Sequence, residues 1–148
     1  MSFSMIGTGS YLPKTIYDNE YFTKIVDTSE EWIVSRTGIE TRHIAKDETN
    51  LGMALEAAKA ALDNAGIQAS DLGAVICSTI ASDHVTPCLA CELILALGIQ
   101  CPAFDINAAC SGFLYALKAA EAFVGSKPVL IVSCDKLSRI VDLSLIHI

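Results

Sequence analysis

No run of about 18 apolar residues occurs anywhere in the chain, so nothing in it reads as a membrane-spanning helix. The opening MSFSMIGTGS lacks both a basic leader and a signal-type apolar stretch, which gives a cytosolic expectation. Basic residues are scarce, with 10 Lys and Arg against 17 Asp and Glu and a net charge of −7. That balance argues against a broad nucleic-acid surface, and it means that an anionic ligand needs local basic groups. Linkers, low-complexity segments and internal repeats are also missing. What is present is a 148-residue chain, 52% hydrophobic and 18% charged, globular in composition. A chain of this length buries roughly 68–70% of its unfolded surface, enough for one core. Six cysteines without secretory features read as reduced thiols and not as a disulfide framework.

Along the chain, apolar runs alternate with helical patterns. Residues 3–9 read as a first strand, ended by Gly7, Gly9 and Pro13, and Asp18 caps a short helix through Ile25. Thr28 and Glu31 fit a capping box for a helix that Gly38 closes. Leu51, Ala54, Leu55, Ala58, Leu62 and Ala65 form the apolar stripe of a helix over 50–65, stopped by Gly66. Residues 74–80 are continuously apolar, as in a strand covered on both faces. Thr86 and Pro87 start the next helix and Gly98 ends it, followed by strands over 103–107 and 128–134 on either side of a further helix. This alternation predicts an α/β fold with a parallel sheet.

The segment Asp105-Ile106-Asn107-Ala108-Ala109-Cys110-Ser111-Gly112-Phe113 runs from a strand through very small residues into a helix. Phe113, Ala116, Leu117, Ala120 and Phe123 share one helical face. A cysteine at such a helix start meets unpaired N–H groups and the positive end of the helix dipole, which favour the nucleophilic thiolate. Small neighbours leave room for a carbonyl substrate, whose oxyanion the cysteine's own N–H would help to hold. The plainer alternative is that Cys110 is buried packing, as most free cysteines are.

The string DINAACSGFLYAL resembles the active-site segment of β-ketoacyl-acyl-carrier-protein synthase III, a condensing enzyme of the thiolase superfamily. IGTGSYLP from Ile6, VDTSEEWIVSRTGI from Val26, CPAFDINAACSGF from Cys101 and VLIVSCDKLSR from Val129 extend the resemblance up to Asp142. It implies a thiolase-like fold, here the N-terminal half of an αβαβα layered unit with a mostly parallel sheet. It implies acyl transfer from coenzyme A to Cys110, then decarboxylative condensation with malonyl-acyl carrier protein to a 3-oxoacyl product, in a cytoplasmic homodimer. Coenzyme A thioester enters as substrate, and no cofactor is bound permanently.

On the helix after Thr28, Trp32 and Arg36 lie four apart and share a face. Alone they fit a packed Trp beside a solvated Arg, or an aromatic platform with a guanidinium for a nucleotide. The resemblance implies the second: Trp32 and Arg36 grip the adenine end of coenzyme A, with Thr28 beside them. Proteins of this family are roughly twice as long, and their catalytic histidine and asparagine lie in the second half. The expectation is therefore a truncated half-domain over 1–142. Residues 143–148 do not match the family, and His147 is not its catalytic histidine. Related acyl-transfer enzymes, such as a polyketide starter synthase or hydroxymethylglutaryl-CoA synthase, are the alternative within the superfamily.

Cys88 and Cys91 form a C-x-x-C pair near a helix start, with His84 before them and Cys101 beyond. A dithiol or zinc module is the other alternative, against plain packing of small apolar residues. His43 has no partner that can be named from sequence, and Asp105 and Asp135 read as structural hydrogen-bonding groups near strand ends.

Overall fold

The computed structural model describes residues 4–143. The elements in order are β1 (Thr15–Asp18), α1 (Asn19–Thr23), α2 (Glu30–Thr37), β2 (Thr41–Ile44), α3 (Asn50–Ala65), β3 (Ala74–Ser78), α4 (Leu89–Ala96), β4 (Ala103–Ile106), α5 (Gly112–Ala120) and β5 (Val129–Ser133). They fall into two compact units, residues 4–11 with 49–135 and residues 12–48 with 136–143.

The larger unit is built on a parallel sheet in the order β4-β3-β5, with Val75 opposite Ala103 and Leu130. Every residue of β3 is buried, as the uninterrupted apolar run requires of a central strand with helices on both faces. Alternation along the strand divides the core. Val75 and Cys77 pack with Leu130 and Val132 against Ala54, Ala58 and Leu62 of α3 and Leu89, Ala90 and Leu93 of α4. Ile76 faces the other way, onto Ala116 and Ala120 of α5. The result is a three-layered α/β/α arrangement with a parallel sheet, which bears out the expected fold class.

The bounds of α3 coincide with its apolar stripe. The Thr49 hydroxyl accepts the Gly52 N–H at 2.9 Å, and Gly66 ends the helix at φ 68°. β3 stops at Ser78, two residues sooner than the apolar run suggested. The N–H groups of Ile80 and Ala81 leave the ladder for the Asp135 carboxylate, at 2.8 and 3.1 Å. α4 starts at Leu89, later than the Thr86-Pro87 signal implied, because its first free N–H groups, those of Leu89 and Ala90, are taken by Asp105.

Residues 4–9 are not a strand, contrary to the expectation for 3–9; Phe3 lies outside the described residues. A strand needs a ladder partner, and here a cavity of about 690 Å³ is lined on one side by 4–9 and on another by β5. The segment instead lies on α3. A Cβ at Gly9 would come within 2.3 Å of the Ala61 nitrogen, so only glycine permits that approach.

The smaller unit pairs β1 antiparallel with β2, placing Ile16 opposite His43. Asp18 caps α1 as anticipated, its carboxylate accepting the Tyr21 N–H at 2.9 Å. The cap of α2 is Ser29 and not Thr28: the Trp32 N–H reaches the Ser29 hydroxyl at 3.1 Å. Glu31 is then the second helical residue, one position short of the third that a capping box needs. Gly38 closes α2 at φ 70°. The Arg42 guanidinium bonds the buried Asn19 amide and lies 4.7 Å from the centre of the Phe22 ring. His43 Nδ1 meets the Pro13 carbonyl at 2.5 Å.

Both outer strands of the parallel sheet pair only with β3 among the described residues, and Leu114, Tyr115 and Leu95 are well exposed. Open edges beside apolar patches promote association. Residues 1–148 expressed alone are therefore expected to self-associate or to unfold without a sharp transition. A monodisperse monomer in analytical ultracentrifugation, with cooperative thermal unfolding, would contradict this.

Candidate active site

β4 delivers the chain to Asn107 and Ala108, where it turns sharply. Ala109 adopts φ 46°, a left-handed conformation that costs a residue with a Cβ roughly 1–2 kcal/mol. The Ser111 N–H then donates to the Ala108 carbonyl at 3.1 Å, closing a 3-10 turn over Ala109–Ser111 that feeds into α5. Cys110 stands in the middle of this turn. It lies one position before the Ser111 cap, just ahead of the helix.

Gly112 explains why the turn can form. Its ideal Cβ would lie 2.1 Å from the Ser78 hydroxyl at the end of β3, so the start of α5 rests directly on the central strand. A bare hydrogen at position 112 brings the helix in; any side chain would push it, and Cys110 with it, off the sheet. α5 ends at Ala120, before Phe123, whose N–H turns back to the Ala120 carbonyl at 2.9 Å.

Of the six cysteines, Cys110 alone is exposed. Burial pushes the Cys77 thiol far up, and it raises Cys88 and Cys101 as well. Cys134 is pushed up to about 12 by burial, with Asp135 and Asp83 adding repulsion. Among the described residues the Cys110 sulfur has no hydrogen-bond partner, and the cavity beside β5 does not include it in its lining.

The turns at the strand ends are tied by polar contacts. Asp135 accepts the Thr79 hydroxyl at 2.8 Å in addition to the Ile80 and Ala81 N–H groups. The fully buried Asn50 donates to Thr79 Oγ1 at 3.2 Å and to the Cys134 carbonyl at 3.1 Å. Asp105 and Asp135 are thus structural, as their places near strand ends suggested. Sequence reasoning missed Asn50 and Thr79, although a helix-start Asn beside an apolar stripe was a signal for the former.

In the smaller unit, Trp32 and Arg36 both stand on the exposed surface of α2, with Trp32 49% exposed. The half of the Trp32 surface that faces solvent, one helical turn from an exposed Arg36, is open to a flat ligand. Thr28 is partly buried just before the helix. Among the described residues no three His, Cys, Asp or Glu side chains gather in a metal-binding cluster, which leaves a zinc module on Cys88 and Cys91 without support.

The family described as 3-oxoacyl-[acyl-carrier-protein] synthase III matches residues 104–146, the stretch that holds Cys110, and so runs past the Asp142 limit expected from the sequence. A β-ketoacyl-[acyl-carrier-protein] synthase III of Vibrio parahaemolyticus is 49% identical over 143 residues, 93% of this chain and 45% of that protein. Over 93% of its length the chain is similar to the 3-oxoacyl-acyl-carrier-protein synthase III family. The crystal structure of the Aquifex aeolicus member superposes with a TM-score of 0.89 at 46% identity, over 93% of this chain and 46% of that one. A priming β-ketosynthase of a polyketide pathway follows at TM-score 0.87 and 35% identity, over 95% of this chain and 43% of that one. The chain spans less than half the length of these synthase III relatives and of the ketosynthase.

Brief, limiting alkylation at neutral pH is expected to modify Cys110 ahead of the other five thiols, as read by peptide mass mapping. In the full-length protein, Gly112→Ala should cost about 1–3 kcal/mol in chemical denaturation and slow that labelling, as overpacking moves the turn. First labelling at Cys88 or Cys91 would count against the assignment.

Proposed function

We propose that the full-length enzyme starts fatty-acid synthesis by joining an acyl primer to malonyl-acyl carrier protein, with Cys110 as nucleophile. The observation that carries this reading is the exposed Cys110 thiol, presented by left-handed Ala109 where Gly112 meets β3, in the stretch that the family matches.

The chemistry follows from the thiol. Cys110 Sγ, as thiolate, attacks the carbonyl carbon of an acyl-coenzyme A thioester. The negative charge passes to the carbonyl oxygen, which the Cys110 N–H helps to hold. The carbon–sulfur bond to coenzyme A breaks, the coenzyme A thiolate leaves and takes up a proton, and the acyl group remains on Cys110 as a new thioester. Malonyl-acyl carrier protein then loses carbon dioxide, and the electron pair so released forms a carbon–carbon bond to the acyl carbonyl. Cys110 departs again as thiolate, leaving 3-oxoacyl-acyl carrier protein. One proton is consumed overall, and carbon dioxide and free coenzyme A are released. In this family, the histidine and asparagine that assist decarboxylation lie in the second half, outside the stretch matched here.

Trp32 supplies the face on which the adenine stacks, and Arg36 supplies a cation for stacking or phosphate, with Thr28 beside them. Such local charge is what an anionic coenzyme A requires on a protein of net charge −7. The enzyme works as a homodimer in the cytoplasm, with no resident cofactor. A polyketide starter synthase is the second reading, supported by the priming β-ketosynthase among the structural relatives. It shares the Cys110 step and differs in the acceptor.

Full-length enzyme given acyl-coenzyme A and malonyl-acyl carrier protein is expected to form a 3-oxoacyl product, and Cys110→Ala to lose it. Product seen only with a polyketide-pathway carrier protein would favour the second reading. Trp32→Ala should weaken coenzyme A binding by about 1–3 kcal/mol in calorimetry, the range for a base stacked on an aromatic ring. Unchanged affinity would return Trp32 and Arg36 to a merely solvated face.

A further inference from the structure

Cys88 and Cys91 take no part in the chemistry above, yet their sulfurs lie 3.3 Å apart, with the Cys88 thiol donating to Cys91 Sγ. Cys88 holds the N-cap position of α4 and Cys91 is its third helical residue. An N-cap side chain points back over the third residue of its helix, so a cysteine at each place brings the two sulfurs together. A thiol is a poor cap, and the Cys88 side chain accepts no capping bond. Asp105 of β4 takes over that task, accepting the Leu89 N–H at 2.9 Å and the Ala90 N–H at 2.8 Å. The first N–H groups of α4 are therefore satisfied without either sulfur, while the Cys91 thiol reaches the Ala103 carbonyl of β4 at 3.7 Å. Both cysteines are partly exposed, while Cys77 on the neighbouring strand is fully buried.

We propose that Cys88 and Cys91 form a reversible redox site, closed to a disulfide by exchange with small-molecule disulfides of the oxidised-glutathione class. The sulfurs need to approach by only about 1.2 Å to reach the ~2.05 Å of a disulfide bond. In the first step the thiolate of one cysteine attacks the small disulfide, forming a mixed disulfide and releasing one small thiolate. The other cysteine, as thiolate, then attacks the protein sulfur of that mixed disulfide and expels the second. Two thiol protons and two electrons leave the protein, and one small disulfide becomes two thiols. Burial raises the Cys88 thiol above the ordinary value of a cysteine. The site is independent of Cys110, since it uses neither that sulfur nor its substrate. Its structural reach toward Cys110 runs through Asp105, which joins the first turn of α4 to the strand preceding the Ala109 turn.

The test is incubation of the full-length chain with excess oxidised glutathione, quenching with an alkylating reagent and peptide mass mapping. The peptide holding Cys88 and Cys91 is expected to lose two hydrogens, to resist alkylation, and to recover both thiols with dithiothreitol. Cys88→Ser and Cys91→Ser should each leave the surviving partner as a stable glutathione adduct, because nothing is at hand to resolve it. Thermal melts of both variants check that they fold, and the wild-type mapping decides the question without them. Two fully alkylated thiols after prolonged oxidation, or a stable glutathione adduct on either cysteine of the wild type, would overturn the proposal.

Discussion

The contact between Gly112 and Ser78 is the constraint on which the site depends. A Cβ at position 112 would sit 2.1 Å from the Ser78 hydroxyl, so α5 starts in direct contact with the end of the central strand. That seating forces the tight turn through Ala109, and the turn lifts Cys110 out of the packing that covers every other cysteine at least in part. The strain in Ala109, of order 1–2 kcal/mol, is held by the packing of Ala116 and Ala120 onto Ile76 farther along the helix.

Around this contact, polar side chains take up the backbone where strands end, Asn50 and Thr79 among them buried. Asp135 gathers three donors from residues 79–81, Asn50 links Thr79 to the chain at Cys134, and Asp105 caps α4. Of these bonds, the one from Asn50 to Thr79 is buried, where a polar group left without a partner costs about 1–3 kcal/mol. Loops at the C-terminal ends of a parallel sheet are where binding groups of α/β proteins collect. Here Thr79, held by Asn50 and Asp135, also donates its N–H to the Ile106 carbonyl at 3.2 Å, at the strand end just before the loop that carries the thiol.

Local signals in the sequence were reliable where one segment decides its own structure. The stripe from Leu51 to Ala65 with Thr49 and Gly66 defines α3, and the apolar run at Ala74 marks the buried central strand. Signals failed where distant groups decide. β1 and β2 pair residues such as Thr15 and Ile44, and two four-residue strands of mixed polarity carry no period strong enough to announce themselves. Residues 4–9 look like a strand, but glycine contacts with α3 and the lack of a ladder partner hold them otherwise. The cap of α2 moved by one residue because Ser29 and Thr28 are chemically alike, and only geometry chooses between them. The exposed position of Cys110 between strand and helix was legible, because small residues and a helical stripe surround it, while its proposed role came from the resemblance of the whole segment to a family. The roles of Gly112 and Ala109 were not, since a close approach to Ser78 and a positive φ exist only in three dimensions.

The most direct test of the account is the mass of the enzyme after mixing the full-length chain with acyl-coenzyme A in the absence of malonyl-acyl carrier protein. The account predicts a mass increase of one acyl group, mapped to the peptide holding Cys110, removed by hydroxylamine and absent in Cys110→Ala. An acyl group found on any other residue, or no covalent adduct in an enzyme that still forms 3-oxoacyl product, would contradict it.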